Sequence, residues 1–242
     1  MRAVIAVPFY DTLENGRSMA TKETLNSLRG LDCRHAIVPV DNGSTYIAAF
    51  ELARDIYPAA MRLSEPRSVA HAVNAAWAPF HDELVRGDMI AVKLDSDVEV
   101  LGAGWLEQII DGILTTPNIG LLGVRHPEDV PLPETMYHGV LVGDFVRGSC
   151  VARSPECFRA IGYCRHPGDT RWGWQDHWDC FRAKTAGFRV GRIPSLSLRS
   201  RCEQDALPEA IKTVERAKGR EALVQWMSEV RNGKRPLFEE AT

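Results

Sequence analysis

Short apolar runs alternate with longer segments of helical period through the first half of the chain. The short runs predict strands at residues 3–7, 35–40, 59–63, 89–94 and 119–124. In the longer segments apolar residues recur every three or four positions, which predicts helices at residues 18–28, 45–56, 69–85 and 105–114. Strands and helices that alternate at this spacing form βαβ units. The predicted fold class is therefore α/β, with a mostly parallel central sheet flanked by helices.

The second half has a different pattern. Residues 126–139 are rich in proline and predict a loop, and residues 139–154 predict two strands or one bent strand. A short helix is expected at 155–161 and a loop at 163–173. The helical period of residues 174–188 ends at Gly187, where glycine suits a left-handed cap. The amphipathic residues 207–230 predict a C-terminal helix that packs on the body of the protein.

Composition fits one soluble domain. The chain has 242 residues, 45% of them hydrophobic, and a net charge of −3, so it can bury a core without covalent staples. The six cysteines contain no C-x-x-C pair and are expected to be reduced thiols. No segment has the pattern of a secretory signal or the length of a membrane span. We therefore expect a cytoplasmic protein without integral membrane association.

Charge is unevenly distributed along the chain. Residues 145–201 contain 11 Lys and Arg against 4 Asp and Glu, although the whole chain is slightly acidic. A basic segment of this kind is typical of a surface that binds an anionic partner, and it is equally typical of a solvated arginine-rich face. Charge alone leaves both interpretations open.

Polar residues follow three of the predicted strands. Residues 8–10 follow the first strand, residues 41–44 the second, and Asp95-Ser96-Asp97 the fourth. Parallel sheets bind ligands beyond the carboxyl ends of their strands, so these loops are the candidate site. The two carboxylates in the third loop suit a hard cation such as Mg²⁺ or Mn²⁺, but Asp and Ser are also common in simple turns.

Five motifs in order resemble a known family. They are AVIAVPFY, VPVDNGST, SVAHAVNAAW, VKLDSDVEV and GWQDHWDCFRAKTAGFRV, which together extend from about residue 3 to 192. Their order and spacing resemble the GT-A glycosyltransferases, specifically those similar to glycosyltransferase family 2. The resemblance implies a hexosyl- or pentosyltransferase that uses a nucleotide-diphospho-sugar, usually a uridine one, with Mn²⁺ or Mg²⁺. It also implies a nucleotide-sugar-binding half at 1–125, an acceptor-binding half at 126–205 and a helical extension at 206–242.

The resemblance also implies roles for particular residues. Asp97 would bind the metal, with Asp95 contacting the ion or the donor sugar, and Asp176 would be the catalytic base of an inverting reaction. The expected donor-binding residues are Pro8, Tyr10, Asp41, Asn74, Asp95 and Ser96. A base at this position has a chemical purpose, because the acceptor hydroxyl must lose its proton as it attacks the anomeric carbon.

The chain departs from the family pattern at three places. Residues 66–68 read PRS where an Asn-x-Gly is common, and Gln175 precedes the expected base where Glu is usual. No histidine follows the last core strand to complete the metal site. Arg199 and Arg201 lie there instead and are expected to bind the diphosphate.

The acceptor is the least constrained part of the prediction. Trp172, Trp174, Arg147 and His177 are the expected acceptor-binding residues, in a segment that is both aromatic and basic. That combination suits an anionic acceptor, and one hypothesis is a hydroxylated, for example hydroxymethylated, base in DNA, flipped into the aromatic pocket around Asp176. The alternatives are a saccharide or lipid-linked acceptor, a nucleotidyltransferase, and a non-catalytic nucleotide-binding module.

Overall fold

One ten-stranded sheet forms the centre of the protein. The computed structural model describes residues 1–126, 133–170, 173–202, 209–238 and 240. The strands are β1 (Arg2–Phe9), β2 (Ala36–Asp41), β3 (Met61–Arg62), β4 (Met89–Leu94), β5 (Val98–Leu101), β6 (Ile119–Arg125), β7 (Thr135–Tyr137), β8 (Val140–Gly143), β9 (Cys150–Arg153) and β10 (Arg189–Ser200).

Helices lie between most of the strands. They are α1 (Ser18–Ser27), α2 (Ala48–Ile56), α3 (Val69–Trp77), α4 (His81–Arg86), α5 (Trp105–Thr115), α6 (Pro155–Ile161), α7 (Gln175–Thr185) and α8 (Glu209–Arg231). The predicted helix at 69–85 is two helices, because Pro79 lacks the backbone N–H that a continuous helix needs and lies in a short 3-10 turn between α3 and α4.

The strand order is β3-β2-β1-β4-β9-β6-β10-β8-β7, with β5 paired to β10. Strands β1 to β4 are parallel neighbours, and β6 is parallel to β10. Strand β9 lies between β4 and β6 and is antiparallel to both. Taking the pairings together, seven of the ten strands run in one direction, which confirms the predicted mostly parallel α/β sheet.

Burial explains the strand pattern of the first half. Every residue of β4, and every residue of β1 except Arg2, is buried, as expected for central parallel strands covered by helices on both faces. Strands β5, β7 and β10 were not among the predicted strands, and β7 lies within residues 126–139, which were predicted to be a loop. Strand β5 has only four residues, and β10 carries irregular register shifts that interrupt a simple alternation.

The C-terminal helix α8 packs on α7, as the amphipathic pattern predicted. Trp226 of α8 and Trp178 of α7 form an edge-to-face pair with ring centroids 5.3 Å apart. Gly219 brings the two elements close, since a Cβ at this position would lie 2.7 Å from Cδ1 of Trp174. Gly187, after α7, has the left-handed conformation that the sequence predicted. The first residues of α7 are therefore held partly by α8.

Candidate active site

The loops after β1 and β2 are joined by hydrogen bonds. The Asp11 backbone N–H donates to Ser44 Oγ at 2.8 Å, and the Asp11 carbonyl accepts from the N–H groups of Thr45 and Tyr46. The side chain of Asp11 is fully buried, and its Oδ1 accepts from Thr21 at 3.1 Å. The two loops therefore form one rigid edge of the sheet.

Asp41 ends β2 and is fully buried. Its Oδ1 accepts from the Ser44 N–H at 2.8 Å, and its Oδ2 lies 3.0 Å from Arg62 Nε. These contacts hold the turn at residues 42–44, where Gly43 is indispensable: its φ is +73°, and a Cβ there would lie 2.5 Å from the backbone of Glu65. The role of Asp41 toward a nucleotide base stays a prediction.

The loop after β4 carries two carboxylates, each paired with a different cation. Asp95 Oδ1 lies 2.5 Å from Lys93 Nζ, and Asp97 Oδ2 lies 2.7 Å from Arg17. Ser96 is buried between them. Arg17 precedes α1, so its ion pair ties the loop after β1 to the loop after β4.

These carboxylates fit a hard divalent cation whose other ligands come from a bound diphosphate. Each ion pair uses one oxygen, Oδ1 of Asp95 and Oδ2 of Asp97, so the other oxygen of each carboxylate lies outside those contacts. In the described part of the chain, no group of three His, Cys, Asp or Glu side chains is arranged to hold an ion. Mg²⁺ and related ions commonly take one or two carboxylates plus phosphate and water oxygens, which is the donor set this loop offers.

Asp176 lies in the first turn of α7, as predicted. Its Oδ1 accepts from the His177 N–H at 2.9 Å and lies 3.0 Å from His177 Nδ1, while its Oδ2 accepts from the Gly148 N–H at 3.3 Å. The Gly148 carbonyl in turn accepts from Lys93 at 2.5 Å. Asp176 is thus two hydrogen bonds away from the lysine that holds Asp95.

The surroundings of Asp176 favour its ionised form. Burial raises the pKa of this carboxyl, but the His177 contacts, the Gly148 amide and the Lys93 ammonium outweigh burial and hold the pKa below its usual value. Burial likewise lowers the pKa of Lys93, but Asp95 and Asp176 raise it above the usual value. At neutral pH the site therefore contains an ionised carboxylate and a charged ammonium.

Aromatic rings contact His177, whose backbone N–H and ring lie against Asp176. The His177 ring lies 4.3 Å from the Phe145 ring and 4.8 Å from the Trp174 ring, measured between centroids. Trp174 has a left-handed backbone (φ 63°), rare for a non-glycine residue, and its indole N–H donates to the Arg216 carbonyl at 2.8 Å. These rings form a wall beside the carboxylate.

Two further expected acceptor residues are Arg147 and Trp172. Arg147 is half-buried, one residue from the Gly148 that binds Asp176. Trp172 lies outside the described residues. The acceptor roles of Trp174, Arg147 and His177 stay predictions.

Three expected donor-binding residues lie on α3, in β1 and directly after β1. The Asn74 side chain is buried and makes two hydrogen bonds with the backbone of Cys164, at 2.9 and 3.0 Å, so it ties α3 to the segment after α6. Pro8 is buried within β1, and Tyr10, half-buried, follows this strand. Their contact with a donor stays a prediction.

Arg199 and Arg201 lie on β10 and just after it, where they pair with acidic side chains. Arg199 binds Glu99 through Nε at 2.8 Å. Arg201 binds Glu23 at 2.7 Å and Glu99 at 3.1 Å, and its backbone N–H donates to the Asp97 carbonyl at 2.7 Å. The predicted diphosphate role of both arginines is untested, and in this conformation their side chains neutralise carboxylates.

Most basic side chains of residues 145–201 are paired within the protein. Arg153 and Arg182 are buried and share the carboxylate of Asp179. The further pairs are Arg159 with Glu156, Lys184 with Asp144, Arg192 with Glu134, and the two arginines described above. The charge available to an anionic partner is therefore smaller than the sequence count indicates.

Three residues of the site were not predicted from the sequence. They are Lys93, which pairs with Asp95; Arg17, which pairs with Asp97; and Asp11, whose backbone N–H binds Ser44 in the loop after β2. Lys93 offered a signal, since it is the one charged residue in the apolar run MIAVKL.

A small cavity lies beside Asp176. Its volume is about 10 Å³, which is room for about one water, and its lining includes Lys93, Asp176 and Asp179.

Comparison with solved structures identifies the architecture. GalNAc-T7, solved with UDP, GalNAc and Mn²⁺, superposes with a TM-score of 0.64 at 12% identity, covering 93% of this chain and 48% of that chain. The mannosyltransferase PcManGT of Pyrobaculum calidifontis, solved with GDP-Man and Mn²⁺, gives a TM-score of 0.59 at 20% identity, covering 97% of this chain and 65% of that one. This chain has the GT-A fold of the glycosyltransferases.

A third solved structure has a similar TM-score and a similarly low sequence identity to this chain. Glucosyl-3-phosphoglycerate synthase of Mycobacterium tuberculosis, solved with Mn²⁺, UDP and glucosyl-3-phosphoglycerate, gives a TM-score of 0.59 at 13% identity, covering 96% of this chain and 80% of that one. The chain spans less than two thirds of the first two structures. No protein-family model and no curated protein matches the sequence. In the described residues, no helix combines the length and hydropathy of a membrane span.

Proposed function

We propose that the protein is a divalent-metal-dependent glycosyltransferase that moves a sugar from a nucleotide-diphospho-sugar, most simply a UDP-sugar, to an acceptor hydroxyl. One observation carries the proposal: Lys93 binds both Asp95 and the Gly148 carbonyl, while the Gly148 N–H binds Asp176. The donor-side carboxylates and the candidate base are therefore adjacent at the carboxyl edge of a GT-A sheet. The GDP- and UDP-bound neighbours support a nucleotide-sugar donor by analogy of fold.

The chain's own residues provide the steps of an inverting transfer. The ionised Asp176 accepts the proton of the acceptor hydroxyl as the oxygen attacks the anomeric carbon, opposite the leaving diphosphate. Asp97, with Asp95 beside it, would hold the metal ion, which when bound neutralises charge on the leaving diphosphate. Trp174 and His177 would orient the acceptor, and the hexosyl or pentosyl identity of the sugar is left to the assay.

The sequence-based prediction of a hydroxylated DNA base as the acceptor depends on the basic segment at residues 145–201. The internal ion pairs of Arg153, Arg182 and their neighbours reduce that support, whereas the aromatic wall beside Asp176 suits a stacked base and a sugar ring equally. A gel-shift on duplex DNA containing hydroxymethylated bases tests the DNA acceptor. Binding that weakens steeply with salt supports it, and no binding at low salt removes it and leaves the saccharide and lipid-linked acceptors.

Donor turnover with Mn²⁺ tests the function itself. Purified protein is incubated with a panel of UDP- and GDP-sugars and acceptors, DNA included, and products are followed by mass spectrometry. We expect Asp97→Ala and Asp176→Asn each to lower kcat by roughly 10²-fold or more, because one loses a metal ligand and the other the base. Glu156→Gln, an exposed position on α6, is the control. Wild-type turnover in Asp176→Asn would refute the base assignment.

A further inference from the structure

Lys93 is a charged residue inside an otherwise apolar, fully buried strand. It is the fifth residue of β4, and only 5% of its surface is exposed. Placing an ammonium group in a sheet interior is costly unless it is paired and hydrogen-bonded. The ammonium group of Lys93 must therefore be compensated by specific partners.

Lys93 has two such partners, a carboxylate and a backbone carbonyl. Its Nζ lies 2.5 Å from Asp95 Oδ1 and 2.5 Å from the Gly148 carbonyl oxygen. Asp95 belongs to the donor-side loop after β4, whereas Gly148 lies just before β9 and donates its N–H to Asp176. One ammonium group thus connects the donor side of the candidate site with the base side.

Lys93, Gly148 and Asp176 are closely packed. A Cβ added to Gly148 would lie 3.3 Å from Asp176 Cβ and 3.5 Å from Lys93 Nζ, so lysine, glycine and aspartate are already in close contact. The Asp95 N–H also donates to the Ser149 carbonyl at 2.8 Å, which joins the same two segments through the backbone. The spacing between Asp95 and Asp176 is therefore set through the turn at Gly148.

We propose that Lys93 is a positioning residue for sugar transfer, which fixes the donor-side carboxylate of Asp95 and the Gly148 turn that holds Asp176. This inference rests on the proposed function. Lys93 has no proton-transfer role in it: its ammonium group orients Asp95 and, through the Gly148 carbonyl, holds the turn whose N–H binds Asp176. A sugar held on the donor side then meets the base at a constant distance, which matters because displacements of about 1 Å cost roughly 100-fold in rate.

The electrostatic surroundings of Asp176 make the role measurable. The groups that face its carboxyl are His177 and Cys180 on α7, His166 from the preceding loop and Lys93 from β4. Lys93 is the one among them that also binds the donor-side loop. Lys93 is among the groups that lower the pKa of Asp176, so loss of its charge is expected to raise that pKa.

The decisive experiment is a ¹³C-carboxyl NMR titration of Asp176 in metal-free protein, with the resonance assigned through Asp176→Asn. We expect Lys93→Met to raise the titration midpoint of Asp176 and Lys93→Arg to restore most of the shift. Lys93→Gln, which keeps hydrogen-bonding capacity without charge, replaces Lys93→Met if circular dichroism shows that the methionine variant is unfolded. Lys184→Met, an exposed change on α7 that breaks a pair with Asp144, is the matched control. Unchanged titration in the charge-free variant overturns the proposal.

Kinetics then separate this inference from the proposed function. In an active wild type, we expect Lys93→Met to lower kcat by roughly 100-fold and to move the acid limb of the pH profile upward, since the base must be ionised. Lys93→Arg is expected to recover part of kcat. Absence of transfer in the wild type refutes the function while the NMR result still decides the contacts of Lys93. Wild-type transfer with unchanged kcat in Lys93→Met refutes the positioning role alone.

Discussion

Asp11 is a fully buried carboxyl group in the loop that follows β1. Burial raises its pKa to about 6, against the lowering effects of Thr21 and Arg17, and its Oδ2 has no hydrogen-bond partner within the described residues. The folded protein therefore binds a proton at Asp11 more tightly than the unfolded chain does. The stabilisation from protonated Asp11 is complete below pH 3.8 and is lost as the pH rises through about 6.

We predict that Asp11→Asn removes part of the pH dependence of stability. Between pH 5 and pH 7 the wild type should lose about 1 kcal/mol of unfolding free energy through this group, a loss absent from the variant. Urea unfolding at both pH values measures the difference, with Asp111→Asn, an exposed change on α5, as control. An identical pH dependence in wild type and Asp11→Asn would contradict the prediction.

Asp176 shows the opposite behaviour, because its pKa lies below the usual value. It stays ionised through the neutral range and needs no protonation change to begin acting as a base. Its sequence position predicted a place in the first turn of a helix, which the structure confirms. Its hydrogen bond to Gly148 was not predicted, because Gly148 is 28 residues away along the chain.

Helix α8 positions the start of α7 through a close approach at Gly219. The glycine leaves room for the Trp174 ring, and the Trp174 indole bonds the Arg216 carbonyl at 2.8 Å. Trp174 immediately precedes α7, two residues before Asp176. Contacts of α8 with Trp174 therefore lie two residues from the candidate base without touching it.

We predict that Gly219→Ala lowers the unfolding free energy by about 1 kcal/mol. A Gly→Ala change inside a helix ordinarily stabilises by about 1 kcal/mol, but here the Cβ overpacks against Trp174. Thermal unfolding measures the sign, and near-UV circular dichroism reports the tryptophan environment. Gly30→Ala is the control, because a Cβ there meets no atom within 4 Å. A Gly219→Ala protein more stable than wild type would disprove the account.

A buried ion network connects β9, α6 and α7 across the second half of the molecule. Asp179 lies 2.8 Å from Arg153 and also binds Arg182, and the Gln175 amide donates to it at 2.5 Å. Arg182 also donates to the carbonyl of Leu237 at 3.2 Å, so the segment after α8 joins the network. Part of the positive charge of the basic segment at residues 145–201 is therefore neutralised inside the protein by Asp179.

We predict that Asp179→Ala costs about 3–5 kcal/mol of unfolding free energy, because two guanidinium groups lose their buried carboxylate. Glu156→Ala, which breaks the exposed pair with Arg159, should change stability little. Chemical denaturation of both variants gives the comparison. Similar losses in the two proteins would show that the buried network is not a major contribution to stability.

The local pattern of the sequence predicted most of the first half of the fold, except the short strand β5 and the break between α3 and α4. The apolar runs of β1 and β4 and the helical periods of α1 and α5 gave nearly the observed bounds, because burial on parallel strands leaves a signature within a few residues. The carboxylates Asp41, Asp95 and Asp97 were placed at one edge by the rule that parallel strands share their carboxyl ends. The resemblance of five ordered motifs to the GT-A glycosyltransferases implied the GT-A architecture, and the structural comparison confirms it.

The arrangement that makes those carboxylates one candidate site came from the tertiary structure. Strand β9 is inserted between β4 and β6, which brings Gly148, and through it Asp176, against Lys93. Likewise, Arg17 meets Asp97 across two loops. Such pairs join residues that are tens of positions apart, so hydrophobic period carries no information about them. They depend on chain topology and on the requirement that buried charges be paired.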